Sequence, residues 1–245
     1  MPNETISVGS LSVELIRKSD IKNLYIRVYP PDGNVAVTAP ESLAKESIEL
    51  YILKRFSEIT KVINRMKQQE RQSQREYVSG ESHYLWGKLY RLQVVYEGSH
   101  SKIVKMPNKI VMTVPQGTSL EARKRVLTEW YRQELKRVLD IIVPMCEKKT
   151  GISVNEFCIK NMKTRWGTCN INKRRIWINL QLVKKPMDCL EYIVIHELVH
   201  FLEKNHTYRF HALVEQFFPT WKESKKLLNS LPLDYFENED LDSDI

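Results

Sequence analysis

The stretch that most constrains the fold is Ile193-Val194-Ile195-His196-Glu197-Leu198-Val199-His200, an H-E-x-x-H pattern inside an apolar run. On a helix, residues four apart share a face, so His196 and His200 can aim two imidazoles at one point. Zinc suits that pair, because it accepts neutral imidazole and favours tetrahedral geometry. Glu197 lies about 100° further round the helix. From there it is better placed to hold a water beside the metal than to bind the metal itself. A water acidified by a metal and relieved of its proton by a carboxylate attacks an amide carbonyl. The flanks Leu190, Ile193, Leu198, Phe201 and Leu202 make the helix apolar almost all round, which predicts burial. Two buried histidines and a glutamate need partners, and metal plus water supplies them. A solvated helix with chance histidines fits this pattern poorly.

A catalytic zinc takes three protein ligands and keeps one position open. Four residues downstream qualify by type: Glu203, His206, His211 and Glu215. Asn205 offers a helix stop and Thr207 an N-cap for a new helix from Tyr208 to Phe218. A chain turning at Asn205 can fold His206 back to the metal, so His206 is the expected third ligand. Glu215 is the alternative, one helix on, and His211 reads more simply as a packed or surface side chain.

His196-Glu197-x-x-His200, then His206, Thr207 and Phe210, resembles the YgjP-like metallopeptidase family, itself related to the WLM and SprT-type zinc peptidases. The upstream segment Lys163-Thr164-Arg165-Trp166-Gly167-Thr168-Cys169 resembles the family's K-x-R-W-G-S-C, and Asn179 and Pro186 fit its connector. The resemblance covers about Val154 to Leu228 strongly and the N-terminal part more loosely. It implies one Zn2+ held by His196, His200 and His206, with Glu197 as general base. His211 departs from the pattern, which leads one to expect Trp after the Phe; the wall of the site is where that difference falls.

The fold class expected is α+β: antiparallel β-meanders with long helices, then a minimal zincin-like domain built on a central H-E-x-x-H helix. The expected division is 1–150 for the meander-and-helix region, 151–233 for the catalytic region, and 234–245 for an acidic, disordered tail. Leu11 to Arg17, Leu24 to Tyr29 and Val35 to Ala39 read as strands, the last two turning at Asp32-Gly33. A long helical stretch follows Pro40, and its end, Lys67 to Arg75, turns polar as a solvent projection or hinge. His83 to Trp86 pairs with Leu89 to Tyr96, and Ile103 to Met106 with Ile110 to Val114. A basic helix then runs from Leu120 to Cys146, where Pro144 is expected to kink or end it. Strands ending Thr38-Ala39-Pro40 and Thr113-Val114-Pro115, each feeding a helix, suggest an internal duplication.

Phe157 to Met162 and Arg175 to Leu180 read as a hairpin leading into the metal helix. Arg165-Trp166-Gly167 is the expected edge along which an extended substrate pairs through its backbone. Gly167 allows a close approach, and Arg165 or Tyr208 can steady an oxyanion.

The partner expected is therefore a peptide or protein. The chain has 245 residues, 42% hydrophobic, with no apolar run long enough for a membrane span and no signal-peptide layout at Met1. This points to the cytoplasm. Cys146, Cys158, Cys169 and Cys189 show no C-x-x-C spacing and read as buried free thiols. The formal net charge is +8 even with six acids in the tail. A basic body leaves a second reading open, a DNA-associated protein that binds or processes protein–DNA complexes through its basic helices. The bland reading of those helices, a solvated charged face, is the simpler one. A structural zinc module is a third reading, and Glu197 argues against it, since a closed site has no use for a free carboxylate.

Overall fold

A computed structural model describes residues 4–29, 32–68, 75–162 and 164–231. The protein is a mixed α+β chain that divides into two compact units, one within residues 4–68 and the other within 75–231. Residues 69–74, in the expected hinge, and the acidic tail from Asp234 lie outside the described residues.

The first unit holds strands β1 (Glu4–Val8), β2 (Leu11–Lys18), β3 (Tyr25–Tyr29) and β4 (Asn34–Pro40). Their order is β1-β2-β4-β3. β2 and β4 run parallel, so the sheet is not the plain antiparallel meander expected. The reason is burial. β4, with Val35, Ala36, Val37 and Ala39 all buried, is the most apolar strand and takes an interior position with partners on both sides. The turn into β4 falls at Gly33, where φ is +79° and the amide donates to the Tyr29 carbonyl over 2.9 Å. Helices α1 (Lys45–Lys54) and α2 (Phe56–Gln68) break at Arg55 instead of forming one rod. Ile48, Ile52, Ile59 and Ile63 bury against the sheet's Val13, Leu15 and Val37.

The second unit opens with β5 (Ser82–Leu85), β6 (Lys88–Tyr96), β7 (Lys102–Lys105) and β8 (Lys109–Val114). Their order is β5-β6-β8-β7, with β6 and β8 parallel and both outer pairs antiparallel. This repeats the strand order and pairing senses of the first unit. Both expected hairpins are present. Trp86 and Gly87 turn the first with φ of 49° and 79°, the positive pair that a two-residue hairpin of type I′ needs.

Helix α3 (Leu120–Thr150) starts at Ser119, whose hydroxyl accepts from the Ala122 amide, and stops at Gly151 with φ +71°. Pro144 lies inside it and does not end it. Proline forfeits a single i→i−4 bond there, while Val143 and Cys146 keep the last turns against the core. Arg137 pairs with Glu134 at 2.9 Å on its solvated side, while Arg132, 3.8 Å from Glu129, also donates to the Ile159 carbonyl over 2.9 Å.

Strands β9 (Glu156–Lys160), β10 (Gly167–Asn170) and β11 (Arg175–Asn179) form a further sheet of this unit in the order β10-β11-β9. The hairpin is β10–β11, not β9–β11 as expected; β9 runs parallel to β11. The sequence puts six residues between β9 and β10, enough for a crossing that swaps the partners. A 3-10 turn (Leu180–Lys184) leads to α4 (Met187–Val199), then α5 (Tyr208–Phe217) and α6 (Trp221–Ser230). The β5–β6 hairpin braces the start of α4. The Trp86 amide donates to the Val183 carbonyl over 2.8 Å, and a Cβ on Gly87 would stand 2.8 Å from Pro186, the N-cap residue of α4. Among the described residues no helix is long and apolar enough to cross a membrane.

Candidate metal centre and active site

Helix α4 is buried on nearly every side, through residues such as Leu190, Ile193, Val194, Ile195 and Leu198. His196 and Glu197 sit in its last turn, and His200 is its C-cap. The helix therefore stops five residues before Asn205, the stop expected. The Leu202 and Glu203 amides both donate to the Val199 carbonyl, and the chain doubles back at once. The Thr207 cap is where it was expected: its hydroxyl accepts from the Phe210 amide over 3.3 Å and starts α5.

That sharp reversal delivers His206 to the pair on α4. One nitrogen from each of His196, His200 and His206 lies within 4.8 Å of the others. The ring centroids are 4.9, 4.9 and 4.8 Å apart, and the Nε2 atoms of His196 and His206 stand 3.0 Å from each other. Zinc–nitrogen bonds of about 2.0–2.1 Å at a tetrahedral angle would set two such nitrogens roughly 3.3 Å apart. His200 turns Nδ1 to the Glu203 carbonyl at 3.2 Å, which leaves Nε2 for a metal. Burial pushes the His196 pKa down to about 3, with the neighbouring imidazoles adding to the effect, and lowers His200 and His206 as well. Three converging neutral imidazoles are a donor set that fits a zinc-like cation. Phe210 floors the trio, its ring 4.9, 4.6 and 4.7 Å from the three imidazoles.

Glu197 is 4% exposed. Burial pushes its carboxyl up to about 8, against the opposing pull of the Arg165 charge. The backbone of Gly167 lies directly against it. A Cβ there would meet Glu197 Oε1 at 2.6 Å, Cγ at 2.8 Å and Cδ at 3.0 Å. Gly167 therefore does permit a close approach, but the group approaching is the carboxylate of Glu197.

The segment before β10 hangs from Asn179, whose side chain is almost fully buried. Its Nδ2 donates to the Met162 carbonyl over 2.8 Å and the Arg165 carbonyl over 2.6 Å; its Oδ1 accepts from the Gln181 amide at 3.1 Å. The Asn179 amide also donates to the Trp166 carbonyl over 2.9 Å. One carboxamide thus fixes the path of the chain on either side of Thr164 and sets Arg165, Trp166 and Gly167 over the site. Lys163 lies outside the described residues.

Arg165, Trp166 and Gly167 line a cavity of about 780 Å³ together with all three imidazoles and Glu197. Tyr208 does not reach it and is 91% exposed. Tyr192, one turn before His196, lines the cavity instead, and burial with the nearby Glu197 charge pushes its phenol up to about 12. Its four-residue spacing from His196 was the available signal, hidden because tyrosine in an apolar run reads as core. His211, where the resemblance led one to expect Trp, stacks on Trp221 at 5.4 Å and 12° in the same wall. Glu215, the alternative ligand, is engaged elsewhere, accepting from Trp221 Nε1 and Lys222 Nζ. Glu203 likewise contributes its carbonyl and not its carboxylate to the trio. All four cysteines are free, with Cys158 and Cys169 only partly buried. Cys169 lines the cavity, yet burial and the Glu197 charge push its thiol up to about 11, so it is no thiolate at neutral pH.

A family model described as YgjP-like, metallopeptidase domain, matches residues 22–231. The chain belongs to the YgjP-like metallopeptidase family. Among solved structures, it resembles the metallopeptidase zymogen of Pyrococcus abyssi abylysin with 19% identity and a TM-score of 0.35, over 40% of this chain and 99% of that one. The zymogen of Methanocaldococcus jannaschii jannalysin matches with 24% identity and a TM-score of 0.33, over 37% of this chain and 92% of that one. Comparison with curated proteins finds no match.

Proposed function

We propose that the protein is a zinc-dependent peptidase whose catalytic region is 151–233, with His196, His200 and His206 as ligands of one Zn2+ and Glu197 as general base. The observation that carries this reading is the convergence of three imidazoles beside a buried carboxylate in one cavity. When bound, zinc would acidify a water and polarise the substrate carbonyl. Glu197 takes the proton of the attacking water and later returns it to the leaving amine. Arg165 sits where its guanidinium can steady negative charge developing on the carbonyl oxygen. Trp166 forms part of the wall against which a substrate side chain packs. β10 is an edge strand beside α4, and its outer backbone groups suit an extended peptide of any sequence. The matching sheets of 4–40 and 82–114 support an origin of the β-rich region by duplication of one unit.

The second reading, binding of nucleic acid through basic helices, gains no support from the family match.

Removal of the metal tests the proposal. Dialysis against a strong chelator is expected to abolish hydrolysis of a casein-derived peptide mixture, and one equivalent of Zn2+ to restore it. Hydrolysis that survives full removal of metal contradicts the reading.

A further inference from the structure

We propose that the cavity selects substrates carrying acidic side chains beside the scissile bond. This rests on the peptidase reading above and adds the class of substrate.

The charged residues lining the cavity besides the histidines are Arg165, Lys204, Lys225 and Glu197. Glu197 is buried beneath Gly167 and is committed to the water. The three cations come from three different parts of the fold: the segment before β10, the loop between α4 and α5, and α6. Their convergence on one hollow is therefore a property of the folded site and not of a basic run in the sequence. None of the three forms an ion pair among the described residues, whereas Lys222, one turn before Lys225 on α6, is neutralised by Glu215 at 3.1 Å. Glu215 holds Lys222 and Trp221, and the Glu203 carboxylate accepts from the Asn205 amide at 3.4 Å.

Lys225 is steadied by Trp221, with Nζ 5.5 Å from the ring centroid. It also borders a second hollow of about 640 Å³, together with Lys226 and Asn229, so positive potential continues along α6 away from the imidazoles. A bound divalent cation would add to that field. Three of the four charged side chains that line the cavity are cations, so a lysine or arginine in a substrate would meet mostly like charge there, and a carboxylate mostly opposite charge. Trp166, Ile193, Val214 and Leu228 give the cavity an apolar part of its wall, and Thr168 and Asn229 a polar one. A peptide and not a nucleic acid is the occupant favoured, because Gly167, Thr168 and Cys169 of the edge strand β10 line the same cavity.

The experiment uses the full-length, zinc-loaded Glu197→Gln protein and two fluorescent decapeptides that alternate alanine with glutamate or with glutamine. The acidic peptide is expected to bind at least about tenfold more tightly at low salt, as charge-assisted contacts imply. The difference should shrink as salt is raised. Lys225→Gln and Lys204→Gln are each expected to narrow it while leaving the unfolding midpoint unchanged. Equal binding of the two peptides overturns the proposal, as does a preference that both substitutions leave intact. Tighter binding of a twelve-residue oligothymidylate that displaces the acidic peptide also overturns it, in favour of a nucleic-acid site. Cleavage of the same two peptides by the unsubstituted enzyme separates the claims. Charge-selective binding with no cleavage of any peptide sinks the peptidase reading and keeps the anion preference; cleavage without charge preference does the reverse.

Discussion

Glu197→Gln is expected to lower peptide turnover by roughly 10²–10⁴-fold while leaving the metal content unchanged. Glutamine keeps the shape of the side chain and its place under Gly167, but it cannot accept the proton of water. The substitution also has a consequence for stability. In the metal-stripped protein, burial raises the Glu197 pKa from 4.5 to about 8. A carboxyl whose folded pKa is raised gives its full stability below 4.5, and that stability is lost as pH rises towards 8. Glutamine has no such loss. The unfolding free energies of the two metal-free proteins should therefore separate as pH rises through that window. The Glu197→Gln protein gains on the unsubstituted one by at most about 1.4 kcal/mol per pH unit. Full activity in Glu197→Gln would remove the carboxylate from the mechanism. A pH-independent stability difference would remove the account of its burial.

Gly167→Ala carries the second large effect. The added methyl has no room, since it would stand 2.6 Å from a carboxylate oxygen and 2.8 Å from Cγ of the same side chain. Gly167 has no positive φ, so alanine suits its backbone and the whole cost is contact. Either Glu197 rotates away from the imidazoles or β10 moves outward. A displacement of about 1 Å costs on the order of 10²-fold in rate, and overpacking costs about 1–3 kcal/mol. A double-mutant cycle identifies the cause. In a Glu197→Ala background the clashing atoms are gone, so Gly167→Ala should then cost little stability. An undiminished cost there, or unaltered turnover in the single variant, would show that the glycine serves another purpose.

Helix α4 was legible because its evidence is local. A four-residue spacing, an apolar surround and a Thr207 cap are all short-range patterns, and the two helix histidines and His206 meet as the spacing predicts. The hairpin turns at Gly33 and Gly87 were legible for the same reason. What stayed hidden depends on residues distant in sequence. The pairing of β9 with β11, the parallel pair β2–β4, and the seat of Glu197 against Gly167, thirty positions away, have no short-range signature. The end of α4 was misplaced because His200 itself caps the helix, and histidine carries no stop signal as glycine or asparagine does. Tyr208 was favoured by its closeness in sequence to His206, but the start of α5 turns it to solvent, and Tyr192 takes a place in the cavity wall.

The most direct test is a count of zinc per chain by elemental analysis, on the unsubstituted protein and on His196→Ala, His200→Ala and His206→Ala. Close to one zinc per chain is expected in the first, and a large loss in each of the others. Retention of a full equivalent of zinc in His206→Ala, with the protein folded, would contradict the three-imidazole site on which the account is built.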